Sequence, residues 1–191
     1  MYSHRKGRNY FSNTQGYTDF YKDYYEHVRI TPNQPNAGTQ QLQHVKDVCD
    51  VSGKNLLRFY EKWGFLTPVD KTIDDYGKAK FKITQSQVDD VIAYVESKGY
   101  PEVTDMIEYI SDSNWESFKN KASVQKGTAT KNGLQVQLSN WENVAAYEAY
   151  ENDELIFVAN NKSSFNLPQS ATDNTKVYAI AYDGTKTEVT F

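Results

Sequence analysis

The chain has 191 residues, 38% apolar and 14% aromatic, with 15 Tyr, 9 Phe and 3 Trp, so it can close a core as one large domain or two small ones, and disorder is excluded. Mean hydropathy is −0.76; no window approaches the roughly 18 uninterrupted apolar residues of a membrane span, and Met1 to Phe20 lacks the apolar stretch of a secretion signal. The 21 basic and 25 acidic residues give a net charge of −4, spread evenly to either side of Asp112, and only the start with His4, Arg5, Lys6 and Arg8 is locally cationic, so nucleic acid is set aside as a partner.

In chain order, the apolar spacing predicts a helix from about Tyr17 to Arg29, with Phe20, Tyr21, Tyr24, Tyr25 and Val28 on one broad buried face and Pro32 and Pro35 beyond it. A second helix, Thr39 to Ser52, turns Leu42, Val45, Val48 and Cys49 inward and ends at Gly53, which can take a left-handed cap. A third, Asn55 to Trp63, is dense with Leu56, Leu57, Phe59, Tyr60 and Trp63 and stops at Gly64. A polar loop rich in Asp follows, then a short alternating run from Ala79 to Ile83. Thr84-Gln-Ser-Gln87 matches a capping box, and Val88, Val91, Ile92 and Val95 continue as one helical face closed by Gly99 and Pro101. A short helix is expected from Thr104 to Ile110.

Beyond Ser111 the pattern changes to short alternating runs broken by Asn, Gly, Asp and Ser. Seven strands are predicted: Ser123–Thr128, Leu134–Ser139, Val144–Tyr150, Glu154–Ala159, Ser164–Leu167, Lys176–Tyr182 and Thr185–Thr190. Asp183-Gly184 is read as the stronger hairpin turn, with both positions at positive φ, and Asn152-Asp153 as the weaker one. The fold class is therefore α+β and multidomain: an all-α helical subdomain over residues 1–112, a linker at 113–121 and a seven-stranded immunoglobulin-like β-sandwich over 122–191, its core held by Trp141 and the tyrosines.

Catalytic chemistry finds little support in the residues. There is no His-Glu-x-x-His, and His4, His27 and His44 lie in separate segments, so packing is the expected role of His27 and His44 and no metal ligands are assigned. Cys49 is the only cysteine, which excludes an internal disulfide, and its apolar stripe marks it as a small buried hydrophobe. Asp74-Asp75 and Asp89-Asp90 are read as solvated pairs, and the Asp70 to Phe81 segment as a poor match to a calcium loop. No phosphate-binding glycine loop or nucleophile elbow is present. The candidate contacts are aromatic: Trp115, Trp141, Tyr147 and Tyr150 could stack on sugar rings, although each also suits a sandwich core.

Three stretches carry a resemblance. Phe20-Tyr-Lys-Asp-Tyr-Tyr-Glu-His-Val-Arg29, then Gln40-Gln-Leu-Gln-His-Val-Lys-Asp-Val-Cys-Asp50, then Asn55-Leu-Leu-Arg-Phe-Tyr-Glu-Lys-Trp-Gly-Phe65 resemble the enhancin-like zinc metallopeptidases, whose bacterial members attack mucins and other glycoproteins. Ile83-Thr-Gln-Ser-Gln-Val-Asp-Asp and Lys98-Gly-Tyr-Pro101 look like members from gut bacteroidetes, and the last 70 residues resemble their trailing fibronectin type III-like domain. The resemblance implies a secreted or surface protein and zinc in the parent, but the family's zinc ligands and catalytic Glu lie upstream of the matched part, and no residue of this chain corresponds to them. The expectation is thus a noncatalytic C-terminal part without a cofactor of its own, in which the helices would wall the cleft of an upstream catalytic domain and the sandwich would contact a host glycoprotein. The alternative is a carbohydrate- or glycoprotein-binding module without an enzymatic role.

Overall fold

In the structure, a computed structural model that describes residues 6–74, 77–160 and 163–191, polar caps decide where the two longest helices begin. His4, Arg5 and Asp75 lie outside the described residues. Contacts divide the chain into two compact units, Gly16–Val103 and the described parts of Met1–Gln15 with Thr104–Phe191.

The first of these units holds helices α1 (Phe20–Ile30), α2 (Ala37–Ser52), α3 (Leu57–Lys62) and α4 (Gln85–Ser97). Between α3 and α4 runs an antiparallel hairpin of β1 (Val69–Asp74) and β2 (Lys78–Ile83). The Thr84 and Gln87 capping box forms as expected, and Gly53 takes the left-handed conformation at φ 60°. Helix α2 starts earlier than its apolar spacing suggests, because Asn36 Oδ1 accepts from the amides of Gly38 and Thr39 and so satisfies donors that a helix start leaves open. The same oxygen accepts from the amide of Lys82 at 3.3 Å, tying the helix cap to β2. Gly38 lets the backbones meet there: an added Cβ would lie 2.7 Å from the Lys82 carbonyl oxygen.

Leu42, Val45, Val48 and Cys49 of α2 are buried, as are Val88, Val91 and Val95 of α4, Leu56, Phe59 and Tyr60 around α3, and Ile83. The all-α expectation for this region is corrected by the hairpin. Its first strand occupies the Asp-rich stretch expected to be a loop: Asp70, Lys71, Thr72 and Asp74 are all exposed, with Lys82 3.5 Å from Asp70 across the pair, so the polar residues belong to a solvated ribbon. Helix α1 also buries less than its stripe suggests: only Phe20 is fully covered, and Tyr25 remains 56% exposed.

The other unit begins with a π-helical segment, Arg8–Thr14, and a 3₁₀ turn, Ile107–Tyr109, in place of the helix expected over Thr104 to Ile110. Helix α5 (Trp115–Asn120) follows where the sequence suggests a linker. Its Phe118 is fully buried edge-on to Tyr182 at 4.9 Å, so this stretch is core and not spacer. Long-range polar contacts draw the two stretches together. Lys6 Nζ donates to the carbonyls of Glu108 and Ile110, Tyr10 OH to Asp105 Oδ2, and Asn9 Nδ2 to Asp112 Oδ1. These separations of about a hundred residues leave no local pattern, which explains why the division of the chain differs from the boundary that composition suggests.

Seven strands complete the unit: β3 (Thr128–Asn132), β4 (Gln135–Ser139), β5 (Ala146–Glu151), β6 (Glu154–Ala159), β7 (Ser164–Asn166), β8 (Lys176–Ile180) and β9 (Lys186–Val189). They form two antiparallel sheets, ordered β3-β4-β7 and β6-β5-β8-β9. Both contribute to one core, in which Val136 and Phe165 from one sheet meet Tyr147, Ala149, Val177, Ala179 and Val189 from the other. The turn chemistry reverses the expected ranking. Asn152 and Asp153 both take positive φ, 50° and 64°, whereas only Gly184 does so at the other hairpin, where its amide bonds to the Ala181 carbonyl as a wider turn.

Two outcomes are expected from urea unfolding. Phe118→Ala should lower stability by about 3–5 kcal/mol, because it empties a sealed aromatic site. Gly38→Ala should cost about 1–3 kcal/mol, since the methyl meets the Lys82 backbone at 2.7 Å and the buried Ile83 side chain at 2.9 Å.

Candidate functional site

The pleat of β5 sends alternate residues to opposite faces of its sheet. Tyr147 and Ala149 enter the shared core, while Glu148 and Tyr150 point to the outer face, where the register pairs Glu148 with Tyr178 and Tyr150 with Lys176. Tyr109 approaches this face beside Glu148. Beyond it the face is open, and a cleft of about 480 Å³ is lined by Tyr150, Asn152, Asp153, Asn174, Lys176, Tyr178 and Lys186.

Glu148 is 0% exposed and is the anchor of the group. Tyr109 OH donates to its Oε1, Tyr150 OH donates to Oε2 at 2.6 Å, and Lys186 Nζ lies 3.1 Å from Oε2. Lys186 also donates to Tyr150 OH at 2.6 Å and sits 4.4 Å from the centre of that ring. Burial opposes the charged carboxylate, but the hydrogen bonds from Tyr109, Tyr150 and Lys186 outweigh it and hold Glu148 below the usual carboxylate range. Burial likewise opposes the Lys186 cation, and its bonds to Tyr150 and Glu148 hold it above the usual lysine range. Tyr109 and Tyr150 are raised by burial and by their bonds to Glu148. Each group is locked in its ordinary charge state at neutral pH, so the cluster is built to hold geometry and not to exchange protons.

The four aromatic residues singled out by the sequence do not converge. Tyr150 lines the cleft. Tyr147 is 3% exposed and packs on Phe165 and Trp141, so its ring is spent on the core. Trp141 donates its indole N–H to the Thr128 carbonyl at 3.1 Å and partly covers the same core. Trp115 stands at a separate depression of about 390 Å³ with Arg8, Asn9, Asn13 and Asp112. The polar groups there bond to one another, Asn9 to Asp112 and Asn13 to Asn9. Sequence reasoning missed Tyr178, Lys186 and the Asn and Lys residues of the rim. The available signal was the alternation of Lys176, Tyr178 and Ile180 against Val177 and Ala179, which puts Tyr178 on the face opposite the core.

The remaining chemistry-bearing side chains sit among the helices. His44 lies between Tyr24 OH, 2.7 Å from Nδ1, and Tyr60 OH, 3.2 Å from Nε2, and burial lowers its pKa while Asp47 acts against the shift. His27 Nε2 is 3.1 Å from Asp47. Cys49 is buried, and its thiol is pushed up to about 11 by that burial, far from a thiolate. These residues do not fit a zinc site: both His44 nitrogens and His27 Nε2 are committed to tyrosine and aspartate, and among the described residues no group of three or more His, Cys, Asp or Glu is placed to hold a metal ion.

No family model and no curated protein matches the chain. Solved structures do. A metallopeptidase from Bacteroides thetaiotaomicron is 25% identical, with a TM-score of 0.80 over 96% of this chain and 35% of its own. A metallopeptidase in complex with Tn antigen is 24% identical, with a TM-score of 0.77 over 96% of this chain and 38% of its own. The M60 catalytic domain of ZmpC from Clostridium perfringens, in complex with the sialyl T antigen, is 15% identical, with a TM-score of 0.61 over 97% of this chain and 35% of its own. The chain thus spans about a third of the length of these metallopeptidases. Its structural neighbours agree with the enhancin-like resemblance.

Glu148→Ala is expected to lower stability by about 1–3 kcal/mol in urea, because it strips two tyrosine hydroxyls and a lysine of their acceptor. The pH dependence has a defined sign. Glu148 titrates below its unfolded value of 4.5, so its stabilisation is complete above that pH and is lost as pH falls through the folded value. Lys186 titrates above its unfolded value of 10.5, so its share is complete below that pH and is lost as pH rises through the folded value. Unfolding midpoints of the parent protein minus those of Glu148→Ala, measured across pH, should therefore form a plateau that falls at both ends.

Proposed function

We propose that the chain is a noncatalytic region of a secreted or surface enhancin-like zinc metallopeptidase acting on glycoproteins such as mucins. In this reading the helical unit braces the metal-holding part of the enzyme, a preorganising role. The two-sheet unit is an accessory domain of the immunoglobulin-like, fibronectin type III-like class. The observation that carries the reading is the extent of the structural match: 96% of this chain corresponds to 35% of a metallopeptidase at a TM-score of 0.80. Support for a glycoprotein substrate comes from the neighbours in complex with Tn antigen and with the sialyl T antigen. No helix among the described residues is long and apolar enough to cross a membrane.

A glycan-binding module without an enzymatic role is the second reading, favoured by the open cleft beside Tyr150.

The test is direct. The 191-residue chain, incubated with zinc and mucin glycopeptides, should release no new peptide ends by mass spectrometry and should retain no stoichiometric zinc after desalting. The gene reading frame upstream should encode a His-Glu-x-x-His helix. Zinc-dependent cleavage by this chain, or the absence of that motif upstream, would overturn the proposal.

A further inference from the structure

Floor and rim of the cleft on the β6-β5-β8-β9 sheet differ in how their polar groups are used. On the floor, Tyr150 is held from two sides, by Glu148 and by Lys186, and its ring stands edge-on to Tyr178 at 5.8 Å with 77° between the planes. The floor is therefore rigid before any ligand arrives. On the rim, Asn152, Asp153, Asn174 and Lys176 are exposed, and among the described residues their side chains make no hydrogen bond or ion pair. Tyr178 is half-buried, and its hydroxyl is likewise uncommitted among the described residues. This is the opposite of the depression beside Trp115, where the polar groups satisfy one another.

Charge narrows the ligand class. Lys186 is neutralised by the buried Glu148 beneath the cleft, which leaves Lys176 and Asp153 as one charge of each sign on the rim. An anionic ligand would meet the Asp153 carboxylate and a cationic one would meet Lys176. What remains well matched is a neutral ring with several hydroxyls: amides and a carboxylate that accept and donate around its edge, an ammonium that donates, and an aromatic ring whose negative face suits the slightly positive C–H face of a sugar.

We propose that this cleft binds a neutral hexose or N-acetylhexosamine, with Tyr178 as the stacking platform and Asn152, Asp153, Asn174 and Lys176 as the hydroxyl-binding rim. Tyr150 is a positioning residue, held in place by Glu148 and Lys186. The inference specifies the second reading above and does not rest on the peptidase reading, which stands or falls on cleavage and on the upstream motif, while this one stands or falls on binding by the chain alone.

Saturation-transfer NMR with the methyl glycosides of glucose, galactose, N-acetylgalactosamine and N-acetylneuraminic acid tests it. At least one neutral glycoside should bind saturably in the millimolar range, with magnetisation transferred mainly to ring C–H protons, and the neuraminic acid glycoside should bind more weakly. Tyr178→Ala should weaken binding about tenfold, whereas Tyr178→Phe should keep the stacking and most of the affinity. Asn174→Ala and Lys176→Ala, both at exposed positions, should each weaken it about threefold to tenfold, and they decide the matter if circular dichroism shows that Tyr178→Ala has not folded. The proposal is overturned if no neutral glycoside saturates, if only the neuraminic acid glycoside binds, or if folded rim and platform variants bind like the parent chain.

Discussion

A carboxylate with no exposure, Glu148, is the point on which the organisation of the two-sheet unit depends. A buried charge is costly unless every lone pair finds a donor, and here Tyr109, Tyr150 and Lys186 supply them. One residue thereby does two things. Through Tyr109 it fastens the stretch around the 3₁₀ turn to the outer face of the sheet, and through Tyr150 and Lys186 it sets one wall of the cleft. The covered and the open halves of that face meet at this side chain. Apolar contact continues the covered half: Phe118 lies against Tyr182, and the Met106 amide bonds to the Tyr182 carbonyl.

In the helical unit the corresponding constraint is backbone proximity. Asn36 caps α2 and accepts from β2 with the same oxygen, and Gly38 removes the side chain that would hold helix and strand apart. Around that junction the aromatic residues and His44 form an interhelical layer in which both imidazole nitrogens meet tyrosine hydroxyls. The burial that lowers the His44 pKa favours the neutral ring, so this layer is most stable above the ordinary histidine range and loosens as pH falls through the depressed value.

The two units thus place their polar groups for different ends. Among the helices, His27 and Asp47 are bonded to one another and His44 to tyrosine hydroxyls. On the sheet, the rim of the cleft keeps its hydrogen-bonding capacity for something outside the protein.

Short-range chemistry was legible in the residues alone. The Thr84 capping box, the Gly53 helix end, the buried spacing of Val88, Val91 and Val95 and six of the seven strands of the second half all depend on neighbours within a few positions, which a pattern records, whereas the strand expected at Ser123–Thr128 forms instead at Thr128–Asn132. Some misses are local, such as the β1 strand in the Asp-rich stretch and the ranking of the two turns, and others arise from distance along the chain. The 113–121 stretch looks like a linker until Phe118 meets Tyr182, and the cationic start shows no partner until Lys6 reaches Glu108 and Ile110. Tyr147 and Tyr150 are equivalent as letters, yet three positions reverse the face of a pleated strand, so one ring enters the core and the other lines a cleft. Local propensities chose the elements, whereas the pairing of β5 with β8 and the burial of Glu148 chose which of their side chains would meet.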